Sequence, residues 1–235
     1  MKEQKLGILG GMGPQATQVF YQFVLDRTDA ARDQDHLPTL ILSDTKMPDR
    51  TAAILGGEED RERVFQRLLT DARLLESAGC TAIAVPCNTS HFFLDRVQEQ
   101  IGIPILHMIR ETAKVLAGQG LKRPGILATD GTIRTGLYQK EFAALGIEPV
   151  TPSPQAQKQV MSLIYDDVKA GHEPDMDKFD RVMWEFARSG CDRVILACTE
   201  LSVLQKYREM PEITLDAMDV LVRESIIRSG APYRL

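Results

Sequence analysis

The sequence lacks several features that would each have indicated a particular class of protein. No apolar run approaches the roughly 18 residues that a membrane-spanning helix needs. There is no cluster of Lys and Arg, and the net charge of −5 argues against nucleic acid or an anionic membrane as a partner. The opening MKEQKLGILGG turns polar too early for the apolar part of a secretion signal. We therefore expect a cytoplasmic protein that binds neither nucleic acid nor membrane.

Cysteine is scarce, with only 4 among 235 residues. In a reducing compartment these are not expected to form a disulfide framework, so each needs a packing or a chemical reason. Hydrophobic residues make up 43% and charged residues 26% of the chain, which is typical of a globular protein rather than a disordered or fibrous one. The length is compatible with one large domain or two small ones.

Short apolar runs alternate with longer segments of helical spacing, and this pattern predicts an α/β fold. The predicted strands are 6–9, 39–42, 83–85, 103–106, 125–128, 194–197 and 213–215. One predicted helix face, within an otherwise charged segment, consists of Val64, Phe65, Leu68, Leu69, Ala72 and Leu75. Strands that are apolar throughout and separated by helices predict a mainly parallel sheet covered on both faces, with ligands at the carboxyl ends of the strands.

An internal repeat suggests that one α/β unit is used twice. The segments AGCTAIAVPCNT and SGCDRVILACTE align so that Cys80 matches Cys191 and Cys87 matches Cys198 at the same offset. LGILGGMG resembles PGILATDG, and IPILHM resembles EITLDA more loosely, in the same order along the chain. We therefore expect two similar halves related by a pseudo-twofold axis.

The repeat sorts the cysteines into two kinds. Cys80 and Cys191 precede strands, away from the ligand end, and are predicted to be core residues. Cys87 and Cys198 follow strands and precede helical segments, where backbone N–H groups and the helix dipole favour a thiolate. Zinc is an alternative, although structural zinc ligands are usually two to four residues apart and these cysteines are seven apart within each half. A purely structural role for both thiols is the other alternative.

Two thiols facing each other across a pseudo-twofold axis suit racemisation. Inverting a carbon requires a base that removes a proton from one face and an acid that returns one to the other face. A thiol with an ordinary pKa of about 8.5 can do either, depending on which of the pair is ionised. Because the α-proton of an amino acid is a very weak acid, cations must stabilise the carbanion at its carboxylate. The candidates are Arg50 and Lys169.

Five segments together resemble the aspartate/glutamate racemase family of cofactor-independent amino-acid racemases. They are GILGGMGPQAT, MPDRT, PCNTSH, IYDDVKAG and ACTEL, which occur in the right order along nearly the whole chain. The aspartate racemase branch is the most similar, because Gly-Met-Gly and Cys-Thr-Glu stand where glutamate racemases usually have Asp-Ser-Gly and Cys-Thr-His. The resemblance implies a homodimeric isomerase that acts on a small acidic amino acid, most readily aspartate, without cofactor or metal.

The resemblance also implies roles for particular residues. Cys87 and Cys198 would be the acid/base pair, and Asn88 and Thr89 would bind the α-amino and carboxylate groups. The other implied substrate contacts are Met12, Arg50, Lys169, Thr199 and Glu200. The implied fold is two similar three-layer α/β domains with the active site in the cleft between them. We expect residues 1–110 to form the first domain, with 214–235 packing on it, and 111–213 to form the second.

Other interpretations of these residues remain open at this point. GMGPQA fits a dinucleotide-binding pattern, but Pro14 lies in the turn and Asp44 comes too late in the sequence. Lys169 suits the end of a helix ahead of Gly171. His91 is either a packing residue or a neighbour that biases the Cys87 thiolate. Glu200 suits a helix cap. The rival functions are a glutamate, hydantoin or broad-specificity racemase, a one-thiol decarboxylase, and a non-catalytic module that binds a small anion.

Overall fold

The computed structural model describes residues 4–234, and in that part of the chain it contains two parallel sheets. Their strands are β1 (Leu6–Gly10), β2 (Thr39–Ser43), β3 (Ala82–Ala84), β4 (Ile105–Leu106), β5 (Pro124–Leu127), β6 (Arg193–Leu196) and β7 (Thr214–Asp216). The first sheet has the order β2-β1-β3-β4 and the second has the order β5-β6-β7. All seven predicted strands are confirmed, with their ends shifted by one or two residues.

Helices connect the strands. They are α1 (Pro14–Arg27), α2 (Arg50–Leu55), α3 (Glu58–Ser77), α4 (His91–Gln98), α5 (Met108–Gly118), α6 (Asp130–Thr135), α7 (Leu137–Ala143), α8 (Pro154–Ser162), α9 (Met176–Arg188), α10 (Thr199–Ser202) and α11 (Ala217–Arg228). A π-helical segment, Leu163–Val168, continues α8. The predicted face of α3 is confirmed, since all six of its residues are buried. Within residues 4–234, no helix has the length and apolarity to cross a membrane.

The first sheet is covered by helices on both faces. Leu6 and Ile8 of β1 pack into a core with α1, α5 and α11, whereas Leu9 and Ile83 pack into a second core with α3 and α4. This division follows from the strand period of two, which turns successive side chains to opposite faces. Both strands are apolar throughout because both of their faces are buried, as is usual for a parallel sheet.

The second sheet repeats the layout of the first. In the first sheet β1 lies between β2 and β3, and in the second β5 lies between β6 and a parallel bridge from Gly125 to Val150. The strand that precedes each candidate catalytic cysteine, β3 or β6, is paired with the opening strand of its half. The predicted fold of two similar α/β units is therefore confirmed, and it places Cys87 and Cys198 at equivalent positions.

The C-terminal segment joins the two halves. β7 pairs with β6 in the second sheet, while α11 packs on α1 and α5. Arg27 and Asp219 form an ion pair (Nη2–Oδ1 3.0 Å), and Thr28 makes an antiparallel bridge to Tyr233. The predicted boundary at residue 110 lies inside α5, and residues 214–216 belong to the second sheet. We therefore propose that the domains follow the two sheets, with α11 closing onto the first.

Candidate active site

The carboxyl ends of the two sheets meet at one small cavity, with a volume of about 10 Å³. All nine predicted site residues line it, namely Met12, Arg50, Cys87, Asn88, Thr89, Lys169, Cys198, Thr199 and Glu200. Three residues that were not predicted complete the lining, namely Thr51, Thr129 and Tyr165. The space is about that of one water molecule, so the halves are tightly closed around it.

The glycine-rich loop after β1 brings Met12 to the cavity. Gly11 has a φ of 88°, and a Cβ there would overlap the backbone of Asp44, so only glycine fits this turn. The Gly11 N–H donates to Thr17 Oγ1 at 2.8 Å, which holds the loop against the start of α1. Ser90 Oγ contacts Met12 Sδ at 3.2 Å. The loop is therefore held in place by contacts with α1, with Asp44 and with Ser90.

Arg50, at the first position of α2, provides a buried cation. Its Nη1 donates to Pro48 O at 2.9 Å and its Nη2 to Met12 O at 3.3 Å. Its Nε has no hydrogen-bond partner among residues 4–234. Burial acts to lower the pKa of Arg50, but its neighbours Cys87, Asp49 and Glu200 outweigh burial and raise the pKa. Arg50 thus offers an unused donor and a positive charge at the cavity.

Cys87 follows β3 and begins a turn whose side chains also face the cavity. The Asn88 Oδ1 accepts a hydrogen bond from the Tyr138 hydroxyl at 2.6 Å, and Asn88 Nδ2 has no partner within the described chain. The Thr89 hydroxyl lies 2.9 Å from that of Thr129 in the second half. Asn88 therefore presents a second unused donor, while Thr89 helps to join the halves.

His91 acts on the backbone of Cys87 rather than on its thiol. The Met108 N–H donates to His91 Nε2 at 3.0 Å, so Nδ1 carries the proton and donates to the Cys87 carbonyl at 2.9 Å. Burial lowers the pKa of His91 to about 4, which keeps the ring neutral. The packing interpretation of His91 is the one that these contacts favour.

Cys198 immediately precedes α10 and has a carboxylate beside it. Its thiol donates to Glu200 Oε2 at 2.9 Å, and Lys169 Nζ donates to Glu200 Oε1 at 2.6 Å. Lys169 lies at the end of the π-helical segment, two residues before Gly171, whose φ is 80°. The neighbouring Thr199 hydroxyl donates to Pro86 O at 3.1 Å and links α10 to the first half.

The pKa of Cys198 lies well above its ordinary value. Burial is the main cause, the charge of Glu200 adds to it, and the charge of Lys169 offsets it only in part. The expectation that the helix start would favour a thiolate therefore fails at this cysteine. A helix of four residues has a weak dipole, which burial and an adjacent carboxylate outweigh.

Tyr165 is the main site residue that the sequence analysis missed. Its hydroxyl donates to Asp49 Oδ2 at 3.0 Å and so connects the π-helical segment to the start of α2. A signal was present, because Tyr165 lies within IYDDVKAG, one helical turn before Lys169. Thr51 similarly lies within MPDRT, next to Arg50.

A larger cavity of about 350 Å³ adjoins the small one and shares part of its lining. The shared residues are Met12, Arg50, Lys169 and Glu200. The rest of its wall includes the loop after β1, Thr45 and Met47. Its volume is within the usual range for small-molecule sites, so it suits an entrance to the closed cavity.

The other two cysteines are buried, as predicted for core residues. Cys80 and Cys191 are both largely shielded from solvent, and burial raises the pKa of each thiol. Neither lines the cavity. Within residues 4–234 there is no group of three or more His, Cys, Asp or Glu side chains arranged to hold a metal ion.

The model of the Asp/Glu/hydantoin racemase family matches residues 9–225. This chain belongs to that family. It is similar to the aspartate racemase of Picrophilus torridus, with a TM-score of 0.83, 30% identity, and coverage of 98% of this chain and 96% of the other. It is 28% identical over 225 residues to the broad specificity amino-acid racemase RacX of Bacillus subtilis (strain 168), covering 94% and 96% of the chains.

The glutamate racemase of Francisella tularensis shares the fold. Its TM-score is 0.68 at 16% identity, with coverage of 95% of this chain and 80% of that one. The predicted family and the predicted enzyme class, an amino-acid racemase, are therefore confirmed.

Proposed function

We propose that this racemase interconverts the L and D forms of an acidic amino acid, most readily aspartate, with Cys87 and Cys198 as its acid/base pair. No cofactor or metal takes part in the proposed reaction. The observation that supports it best is that both thiols line one small cavity, each supplied by the equivalent strand of a repeated sheet. Inverting a single carbon requires proton transfer on two faces, and the repeat supplies one group for each.

The proposed reaction moves two protons. One sulfur, as the thiolate, removes the α-proton, and the other sulfur, as the thiol, donates its proton to the opposite face of the carbanion. The product leaves with inverted configuration. The sulfur that began as the thiolate is then the thiol, and the sulfur that began as the thiol is the thiolate. Arg50 and the Nδ2 of Asn88 are the unused donors that we assign to the substrate carboxylate, where charge develops in the transition state.

Charge favours a substrate with two carboxylates. Arg50 and Lys169 both line the small cavity and its entrance, so a second carboxylate has a cation within reach. The similarity to the Picrophilus torridus aspartate racemase supports aspartate as the first candidate. The similarity to RacX makes broad specificity the second candidate. Aspartate and glutamate differ by one methylene, which changes binding in a pocket by only about 1–3 kcal/mol, so the two substrates are hard to discriminate.

The proposal is tested by chiral analysis of L- and D-aspartate incubated with the purified protein. We expect wild type to racemise both, and Cys87→Ala and Cys198→Ala each to lose racemisation. Cys80→Ala and Cys191→Ala are matched controls, since they remove buried thiols that do not line the cavity. Full turnover in either active-site variant contradicts the two-thiol mechanism, and a panel of other amino acids ranks the specificity.

We further propose that the protein acts in the cytoplasm, where thiols are kept reduced. We also propose that it is a homodimer. Leu40 and Ile41, adjacent residues of the edge strand β2, are 37% and 39% exposed. Neither Lys nor Pro interrupts this strand, so its open edge suits pairing with the same strand of a second copy. Light scattering is expected to show a dimer that Ile41→Lys weakens, and a monomeric wild type would contradict this.

A further inference from the structure

We propose that Glu200 is a positioning residue that keeps Cys198 protonated in the free enzyme, so that the protein rests with Cys198 ready to donate a proton. The inference rests on the proposed two-thiol function and refines it. The family resemblance implies that Glu200 contacts the substrate, and its position after Cys198 also suits a helix cap. The structure instead shows its carboxylate engaged within the chain.

Both oxygens of Glu200 already have partners. Oε2 accepts from the thiol of Cys198 at 2.9 Å and Oε1 accepts from Lys169 Nζ at 2.6 Å. The Glu200 residue is only 3% exposed, so its carboxylate is largely shielded from solvent. A carboxylate can only accept, and it therefore holds the sulfur as a donor, that is, as the protonated thiol. Loss of the thiol proton would place two negative charges side by side in a buried site.

The charged and titratable groups that face this pair come from several elements. They are Lys169, Arg50, Cys87, Tyr138 and Tyr165. The two tyrosines are neutral, since burial raises the pKa of each. Lys169 is the cation in contact with Glu200, and its charge is shared between that carboxylate and the sulfur. Because Arg50, the other cation here, lies beside Cys87, the one cation in contact with Glu200 cannot fully balance a carboxylate and a thiolate together, and the thiol remains protonated.

The two halves of the repeat are therefore not chemically equivalent. On the Cys87 side the neighbouring group is the guanidinium of Arg50, whereas on the Cys198 side it is the carboxylate of Glu200. In the resting enzyme Cys198 is therefore held as the sulfur that can return a proton. An enantiomer whose reaction requires Cys198 as the thiolate meets the rarer form of that sulfur.

The test is a pH titration of the Cys198 thiolate, followed by its ultraviolet absorbance in the full-length protein. Two variants are compared, Cys87→Ala and Cys87→Ala/Glu200→Gln, and the spectrum of Cys87→Ala/Cys198→Ala is subtracted to remove all other groups. Gln has nearly the shape of Glu but no charge, and its N–H can donate to a thiolate. We expect the Glu200→Gln change to lower the titration midpoint by about one pH unit or more, a tenfold shift in the proton equilibrium.

A second variant guards against a merely structural effect. Lys169→Met, in the same Cys87→Ala background, removes the cation but keeps a similar chain length, and we expect it to raise the midpoint. General loosening of the site would move both midpoints in the same direction, whereas the proposal requires opposite shifts. An unchanged midpoint in Glu200→Gln, or shifts of the same sign, would overturn it. Because the titration requires no turnover, its failure is distinct from a failure of wild type to racemise aspartate.

Discussion

Replacing Asn88 by Ala separates a substrate contact from a structural one. The wild-type side chain accepts a hydrogen bond from the Tyr138 hydroxyl through Oδ1, and its Nδ2 points to no partner within residues 4–234. The Asn88→Ala change removes both functions. The matched control is Tyr138→Phe, which removes the same hydrogen bond but leaves the Asn88 amide in place. The two variants thus differ mainly in whether Nδ2 remains to bind the substrate carboxylate.

The expected magnitudes follow from the burial of both residues, which are each almost fully shielded from solvent. Leaving a buried polar group without its partner costs about 1–3 kcal/mol, so we expect similar losses of unfolding free energy in both variants. A hydrogen bond to a charged group contributes about 1.5–3 kcal/mol, which corresponds to a loss of about 10- to 150-fold in kcat/KM for Asn88→Ala. For Tyr138→Phe we expect a loss of only a few fold.

Urea unfolding gives the stabilities, and chiral analysis of aspartate gives the rates. The double variant Asn88→Ala/Tyr138→Phe provides a further check, since it removes both partners and should be little less stable than either single variant. Equal losses of kcat/KM in the two single variants would refute the assignment of Nδ2 to the substrate. In that case Asn88 would serve only to hold Tyr138.

Three further perturbations probe stability and closure. Burial raises the pKa of Asp216 to about 7, so between about pH 4 and pH 7 the folded protein keeps a proton that the unfolded chain has lost. The free energy of unfolding should therefore fall by up to about 4 kcal/mol as pH rises from about 4 to about 7. Urea unfolding of Asp216→Asn should show a weaker dependence of stability on pH. Tyr165→Phe removes the hydrogen bond to Asp49 across the cleft, which contributes about 1 kcal/mol. This change should raise KM about fivefold with little change in kcat. An unchanged KM would mean that the hydrogen bond does not help the two halves to close on the substrate. Gly11→Ala should lower the free energy of unfolding in urea by more than about 1 kcal/mol, because a Cβ at this position overlaps the backbone of Asp44. An unchanged stability would show that the loop after β1 can shift to make room.

Much of the fold was predictable because β1, β3, β5 and β6 are buried on both faces. Such strands are apolar at every position, as in LGILG of β1 and RVIL of β6 after its first residue, and so they stand out from the charged helices. The placement of the site was predictable for a related reason. The conspicuous motifs follow strand ends, and parallel strands bring their carboxyl ends to one edge.

The pairing of side chains within the site was not predictable in the same way. The bond from Tyr165 to Asp49 joins residues 116 positions apart, and the bond from Lys169 to Glu200 crosses between a π-helical segment and α10. Periodicity assigns residues to faces, but it does not say which charged groups will meet when two halves close. The sequence therefore indicated nine of the residues that line the cavity, whereas Tyr165 and the electrostatic consequence of the pairing, above all the protonated state of Cys198, required the structure.

The most direct test of the two-thiol mechanism is the position of deuterium after the first turnovers in D₂O, starting separately from L- and from D-aspartate. With two bases on opposite faces, the proton removed by one sulfur is not the one returned by the other. We therefore predict that the newly formed enantiomer carries α-deuterium while the remaining substrate keeps its α-proton, in both directions. Deuterium appearing in the remaining substrate as fast as in the product would show a single base and would contradict the mechanism.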